Sequence, residues 1–201
     1  MKKPIKLAVI MVLILISAAP VFARSTYYFA GDTMFSIRAG VDFPAFISFY
    51  KDSERGTVAF GDTHIKVGGM ASLTYQAFIT ERLAIGGELG YAFNYSRSGL
   101  LLTTVPITAR LSYFPVQTGK FDLALGVNLG GAFIRYNEGK YFAPTVSVSV
   151  NPSFYFNDNW GIGVETGLLL TLENYGSKNV KSNASALAGL MPVVLTLSYR
   201  H

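Results

Sequence analysis

From Ile65 to Ile79 the chain alternates in character at every residue. Ile65, Val67, Gly69, Ala71, Leu73, Tyr75, Ala77 and Ile79 share one face of an extended strand; Lys66, Gly68, Met70, Ser72, Thr74, Gln76 and Phe78 share the other. Side chains of a strand point alternately to its two faces, so this period of two gives one greasy face and one small or polar face. The pattern returns from Leu83 to Tyr95, and the short link Thr80, Glu81, Arg82 joins the two segments as a hairpin. It recurs over Leu101 to Phe114, Lys120 to Phe133, Ala143 to Phe156, Trp160 to Leu172 and Leu187 to Arg200, with a first strand near Met34 to Ala45. Eight strands result. Each exceeds the roughly 9–11 tilted residues with which a β-strand crosses a bilayer.

The links alternate as well. Thr80 to Arg82, Pro115 to Gly119 and Asn157 to Asn159 are tight, whereas Lys51 to His64, Ser96 to Gly99, Arg135 to Phe142 and Asn174 to Ala186 are longer or more polar. Short turns on the periplasmic side opposite longer external loops are the habit of outer-membrane barrels. The magnitude of one penalty decides which face meets lipid. An Arg or Lys on the lipid side costs about 2–4 kcal/mol at the midplane. The eight greasy faces carry no charge, and Arg38, Asp42, Lys66, Glu88, Arg110, Asp122, Glu165 and Arg200 all fall on the opposite face. Aromatic residues gather near strand ends and predict two interfacial girdles. Phe78, Tyr113, Phe114, Phe121, Tyr155, Phe156, Trp160 and Tyr199 form one; Phe43, Phe46, Phe93, Tyr95, Phe133, Tyr136, Tyr141 and Phe142 form the other.

Ahead of this pattern, Lys2, Lys3 and Lys6 precede an apolar run from Leu7 to Ile16 and the segment Ser17 to Ala23. The run is shorter than the roughly 20 residues of a membrane-spanning helix, and Val21 and Ala23 suit the positions before a signal-peptidase cut. Residues 1–23 therefore read as a cleaved signal peptide and 24–201 as one domain. Removing the signal takes three lysines, so 17 basic residues fall to 14 against 12 acidic ones. The basic pI thus gives no reason to expect a nucleic-acid partner. There is no cysteine, which excludes a disulfide framework, a lipoprotein anchor and thiolate metal sites.

These features predict an all-β fold, a closed antiparallel up-and-down transmembrane β-barrel of about eight strands in the bacterial outer membrane. A soluble lipocalin-like barrel would turn the greasy face inward. Its outer face would then be too poor in charge, since a soluble surface is about 25–35% charged. Small residues also suit the narrow lumen of an eight-stranded barrel. The chain resembles the small outer-membrane barrels of Gram-negative bacteria, the group that includes the OmpA transmembrane domain and the OmpX and OmpW families. Val193, Leu195, Leu197 and Tyr199 look like the alternating terminal signal used in barrel assembly, although Arg200 and His201 stand where that signal commonly ends in Phe. The resemblance implies partners in outer-membrane lipid, periplasmic chaperones and the barrel-assembly machinery, and implies no enzyme and no cofactor.

Candidate chemistry is sparse. Arg38, Glu88, Arg110 and Glu165 all face the lumen and predict a salt-bridge network that closes it, because paired charges offset each other's desolvation. The same network could serve as a gate in a narrow channel for small or hydrophobic solutes. The first long loop carries Lys51, Asp52, Glu54, Arg55, Phe60, Asp62 and His64, a mixed-charge surface able to engage a host ligand. Loop-mediated surface binding or a structural role is the leading expectation. Lipid-A-modifying barrels use a Ser and a His near the outer rim, and Ser53, Asp62 and His64 share this loop; Ile65 and Lys66 follow the histidine, so their His-x-Ser pairing is absent. Gly161, Gly163 and Gly167 sit inside a strand with no helix after them and read as lumen packing rather than a dinucleotide loop. No Asp or Glu spacing suggests a calcium loop.

Overall fold

Strands with one apolar and one polar face satisfy both faces at once when their sheet closes on itself. The computed structural model describes residues 28–50, 56–136, 139–173 and 185–201. Its elements are β1 (Thr33–Ser48), a short β2 (Thr57–Ala59), β3 (Gly68–Thr80), β4 (Leu83–Tyr95), β5 (Leu101–Gln117), β6 (Phe121–Tyr136), β7 (Gly139–Tyr155), β8 (Trp160–Glu173) and β9 (Ala186–Arg200). β1 and β3 to β9 pair antiparallel in chain order, and β9 returns to β1 from Met34↔Arg200 to Ser48↔Leu187. The result is a closed eight-stranded barrel. β2 pairs with the end of β1 at Phe46–Ser48 and leads into a single 3-10 turn, Phe60–Thr63.

Burial is inverted relative to a soluble protein. Leu129 and Leu195 on the outside are 68% and 62% exposed, whereas Arg38 and Arg110 inside are 2% and 1% exposed. Two apolar clusters pack inside the lumen among the described residues, one toward each end. Tyr28, Met34, Phe78, Ala84, Phe114 and Ala124 cluster near the chain termini. Ala132, Ile134 and Ala143, with Leu102 and Tyr141 against them, cluster at the opposite, loop end.

Several strand limits differ from the periodicity. Arg135 to Phe142 reads as a loop, yet β6 continues to Tyr136 and β7 starts at Gly139, with Arg135 opposite Lys140. Both cations are exposed on strands whose ends extend past the apolar band. A hairpin that has left hydrocarbon needs no greasy face, so the apolar signal ends before the strand does. The turn expected over Pro115 to Gly119 is shorter, because β5 runs to Gln117, which pairs with Asp122. A register shift between Tyr113 and Val116 accommodates Pro115, which cannot donate to the ladder. Lys66 is exposed and outside any strand, and Ile65 makes only an isolated bridge to Ser96. The girdle assignment fails for Phe78, Phe114 and Tyr155, each 2% exposed inside the lumen, because all three sit on the inward parity of their strands, and for Phe46 and Tyr141, which line the lumen at the loop end. The expected signal peptide and residues 174–184 of the last loop lie outside the described residues.

Leu111 is outward-facing and stands between Ile85 and Val127 on neighbouring strands, at the level of the lumen arginines. Leu111→Arg is expected to destabilise the barrel by about 2–4 kcal/mol, the penalty for a cation at the bilayer midplane. Urea unfolding in lipid vesicles measures it; an unchanged midpoint would contradict a lipid-facing exterior.

Candidate functional site

Mid-lumen, inward parity brings together the four charged residues singled out in the sequence: Arg38 on β1, Glu88 on β4, Arg110 on β5 and Glu165 on β8. Arg38 Nη1 lies 2.9 Å from Glu88 Oε2, and Arg38 Nε 3.2 Å from Glu165 Oε2. Arg110 Nη1 and Nη2 lie 2.9 Å from Glu88 Oε2 and Glu165 Oε2 respectively. Each cation thus meets both anions, in a square of net charge zero. Uncharged donors complete it: Asn128 Nδ2 donates to Glu88 Oε2 (3.0 Å) and Asn151 Nδ2 to Glu165 Oε2 (3.3 Å), while Arg38 also donates to the Thr74 hydroxyl. Gly126 makes room, since a Cβ there would lie 2.7 Å from Arg110 Nη2. Buried charges are tolerated only with such pairing and hydrogen bonding. All four side chains are buried, from 1% exposed at Arg110 to 7% at Glu88 and Glu165.

A second closure lies at the terminal end, and the sequence did not announce it. Tyr28 precedes β1 yet turns into the lumen, where it stacks on Phe78 with ring centroids 3.9 Å apart and tilts against Phe114 at 5.5 Å. Its hydroxyl donates to Asp122 Oδ2 and lies 3.2 Å from the Tyr155 hydroxyl. Burial first, then Tyr155 and Asp122, raises the Tyr28 phenol well above its ordinary range, so it remains a neutral donor. Arg200 on β9 covers Tyr155 at 3.6 Å from the ring centre and lies 3.6 Å from Asp122. The alternation rule covers strands only. Nothing in it places a residue ahead of the first strand inside the barrel.

Above the square, at the loop end, the lumen widens into a cup of about 700 Å³. Its wall is largely apolar, formed by Pro44, Phe46, Leu102, Ile134, Tyr141 and Leu190, with Ala186, Ala188 and Gly189. Gly189 allows the Phe46 ring to lie flat on the wall; a Cβ there would lie 2.5 Å from it. Thr63, His64, Ser96, Arg97 and Ser98 border the cup on one side and Glu173 on another. The volume falls within the roughly 300–1,000 Å³ of small-molecule sites, and a mostly apolar wall with few polar groups is their usual lining.

The loop residues fare unevenly. His64 borders the cup, held at φ 58 after the 3-10 turn. Asp62 is exposed and not part of the cup, and it makes no hydrogen bond with His64 among the described residues. Lys51, Asp52, Ser53, Glu54 and Arg55, and the Phe60 side chain, lie outside the described residues. No group of three or more metal-ligating His, Asp or Glu occurs among the described residues. Sequence reasoning missed Tyr28 and the cup; a signal for the cup was Leu102, Ile134 and Leu190 on the lumen parity, where polar or small residues were otherwise expected.

A protein-family model matches residues 19–199. An uncharacterized protein of Borreliella burgdorferi is 26% identical over 146 residues, covering 62% of this chain and 67% of that protein. Among solved structures, neisserial surface protein A (NspA) superposes with a TM-score of 0.59 at 13% identity, over 84% of this chain and 96% of its own. The outer membrane protein OprG from Pseudomonas aeruginosa gives 0.52 at 11% identity, over 89% and 99%. Ail, the attachment invasion locus protein of Yersinia pestis, in complex with the heparin analogue sucrose octasulfate, gives 0.51 at 10% identity, over 86% and 100%. At such identities the likeness is one of fold: that of the small eight-stranded outer-membrane barrels.

Two substitutions probe the closures. Glu88→Ala leaves two buried guanidinium groups sharing one carboxylate and is expected to destabilise the barrel by about 3–5 kcal/mol; Tyr28→Phe keeps the stack and removes the hydroxyl donor to Asp122, for about 1–3 kcal/mol. Unfolding midpoints of the refolded variants check both, and a Tyr28→Phe protein indistinguishable from the parent would show that the hydroxyl bond contributes nothing.

Proposed function

We propose that this chain, which belongs to a family of uncharacterized proteins whose model matches residues 19–199, is an integral outer-membrane barrel that holds a small apolar ligand at its cell-surface mouth. The observation that carries this reading is the apolar cup at the loop end, with the charged square beneath it. In barrels of this fold the long loops face outward and the tight turns face the periplasm, with both termini on the periplasmic side. That orientation opens the cup to the exterior. The outward apolar band and the fold shared with outer-membrane barrels support the membrane location, and the signal-like N-terminus supports export.

A channel for small solutes requires a continuous path. Two layers lie across it here, the Arg38–Glu88–Arg110–Glu165 square and the Tyr28 cluster, and an eight-stranded barrel leaves an interior just wide enough for its own side chains. A binding role therefore takes precedence over conduction. A lipid-modifying enzyme would bring a serine and a base together at the rim; Ser96 and Ser98 border the cup near His64, but Ser96 Oγ bonds Ser98 Oγ (2.8 Å) and the Leu100 amide (3.0 Å) rather than the imidazole.

The test is photolabelling of the refolded protein in lipid nanodiscs with a diazirine-bearing alkane, followed by peptide mapping, alongside single-channel recording. Label is expected on cup residues such as Leu102, Ile134 and Leu190 and is expected to disappear from them in Ala188→Phe, which fills the cup. The planar bilayer is expected to stay silent. Labelling confined to lipid-facing residues such as Leu129, or discrete conductance steps in the parent protein, would overturn the proposal.

A further inference from the structure

The cup has a charge asymmetry that its apolar wall alone does not explain. Arg97 and His64 stand together on its border, in the β4–β5 turn and just after the 3-10 turn, and the Arg97 amide donates to the His64 carbonyl at 2.8 Å. The turn that carries Arg97 is firmly built. Ser96 N donates to the Leu100 carbonyl (2.8 Å), Leu100 N returns a bond to Ser96 Oγ (3.0 Å), and Gly99 adopts the left-handed φ of 85° that closes it. His64 is held at φ 58, a conformation uncommon for a residue with a Cβ. Among the described residues, no carboxylate pairs with the Arg97 guanidinium. Glu173, the acidic residue that borders the cup, ends β8, which lies four strands around the barrel from β4.

We infer that the ligand of the cup is a free long-chain carboxylate, its alkyl chain in the apolar wall and its carboxylate on Arg97. This rests on the reading of the cup as an apolar binding site and adds the chemistry of the headgroup. An alkyl chain fits against Phe46, Leu102, Ile134 and Leu190, in a cup whose lining is mostly apolar with Thr104, Thr171, Tyr136 and Tyr141 among it. A guanidinium presents a planar fork that matches a carboxylate with two parallel bonds. Glu173 borders the cup on the opposite wall, so the cation lies on one side of the mouth. A neutral alcohol would use the wall and offer the guanidinium a single uncharged acceptor in place of a two-oxygen anion; an alkylamine would be repelled from the Arg97 side.

Competition against the diazirine alkane in nanodiscs, with dodecanoate, dodecanol, dodecylamine and a single-chain lysophospholipid as competitors, tests the headgroup. Dodecanoate is expected to compete about tenfold or more better than dodecanol, the order of discrimination one charge-assisted hydrogen bond provides. Arg97→Gln is expected to erase that difference while leaving heat-modifiable migration unchanged, and Arg97→Lys to retain part of it. Equal competition by dodecanoate and dodecanol overturns the headgroup assignment and leaves the cup standing. Competition by none of the four overturns the cup as well. A preference for the amine or the lysophospholipid, or a carboxylate preference that survives Arg97→Gln, also rejects the inference.

Discussion

Every backbone N–H and C=O that enters hydrocarbon must find its partner within the protein, and a sheet meets that demand only by closing. The seam between β1 and β9, from Met34↔Arg200 to Ser48↔Leu187, is therefore the condition on which the other features depend. Closure with eight strands fixes a narrow lumen. At mid-barrel the narrow lumen takes small residues such as Ala92 and Gly126 and large polar ones that pair across the axis, while large apolar residues such as Phe78, Phe114 and Ile134 pack inward toward its ends. Outward positions face the reverse demand and carry Leu, Ile, Val and aromatic residues.

Charge then organises the interior in layers. Four ionised groups from four separate strands converge at mid-lumen because each is separately forbidden on the lipid side and each is untenable alone on the inside. Pairing each cation with both anions leaves no net charge to solvate. The same reasoning governs the terminal end, where Asp122 on β6 is met by the Tyr28 hydroxyl and by Arg200 from the last strand. There the N-terminal segment supplies the missing donor, so the chain closes its own barrel from below. At the loop end, among the described residues, no comparable charged layer fills the lumen, and apolar residues take inward positions. A cavity is the physical consequence, and a site for an apolar ligand is its natural use.

Much of this was legible in the alternation itself. Period two, the absence of charge from one parity and the alternating link lengths dictated an inside-out barrel with its strands in chain order, and β4 falls at the expected limits, Leu83–Tyr95. Parity alone also placed Arg38, Glu88, Arg110 and Glu165 inside, since a residue's face follows from its position along the strand. Strand ends were less legible. The hairpin of Arg135 and Lys140 continues beyond the apolar band, where the outward face no longer has to be greasy and the pattern loses its contrast.

What the sequence could not determine depends on distances across the lumen. Opposing side chains there come from strands far apart in the chain, as Arg110 and Glu165 do, and their level depends on the register and stagger of closure. Only the tertiary structure decided that the four charges meet in one square and that Tyr28 enters from outside the strands to stack on Phe78 and tilt against Phe114. It likewise decided that Leu102, Ile134 and Leu190, from three strands, surround a common space beside Arg97. The alternation of one chain determines which way each side chain points; which partners it meets is set by how the sheet closes.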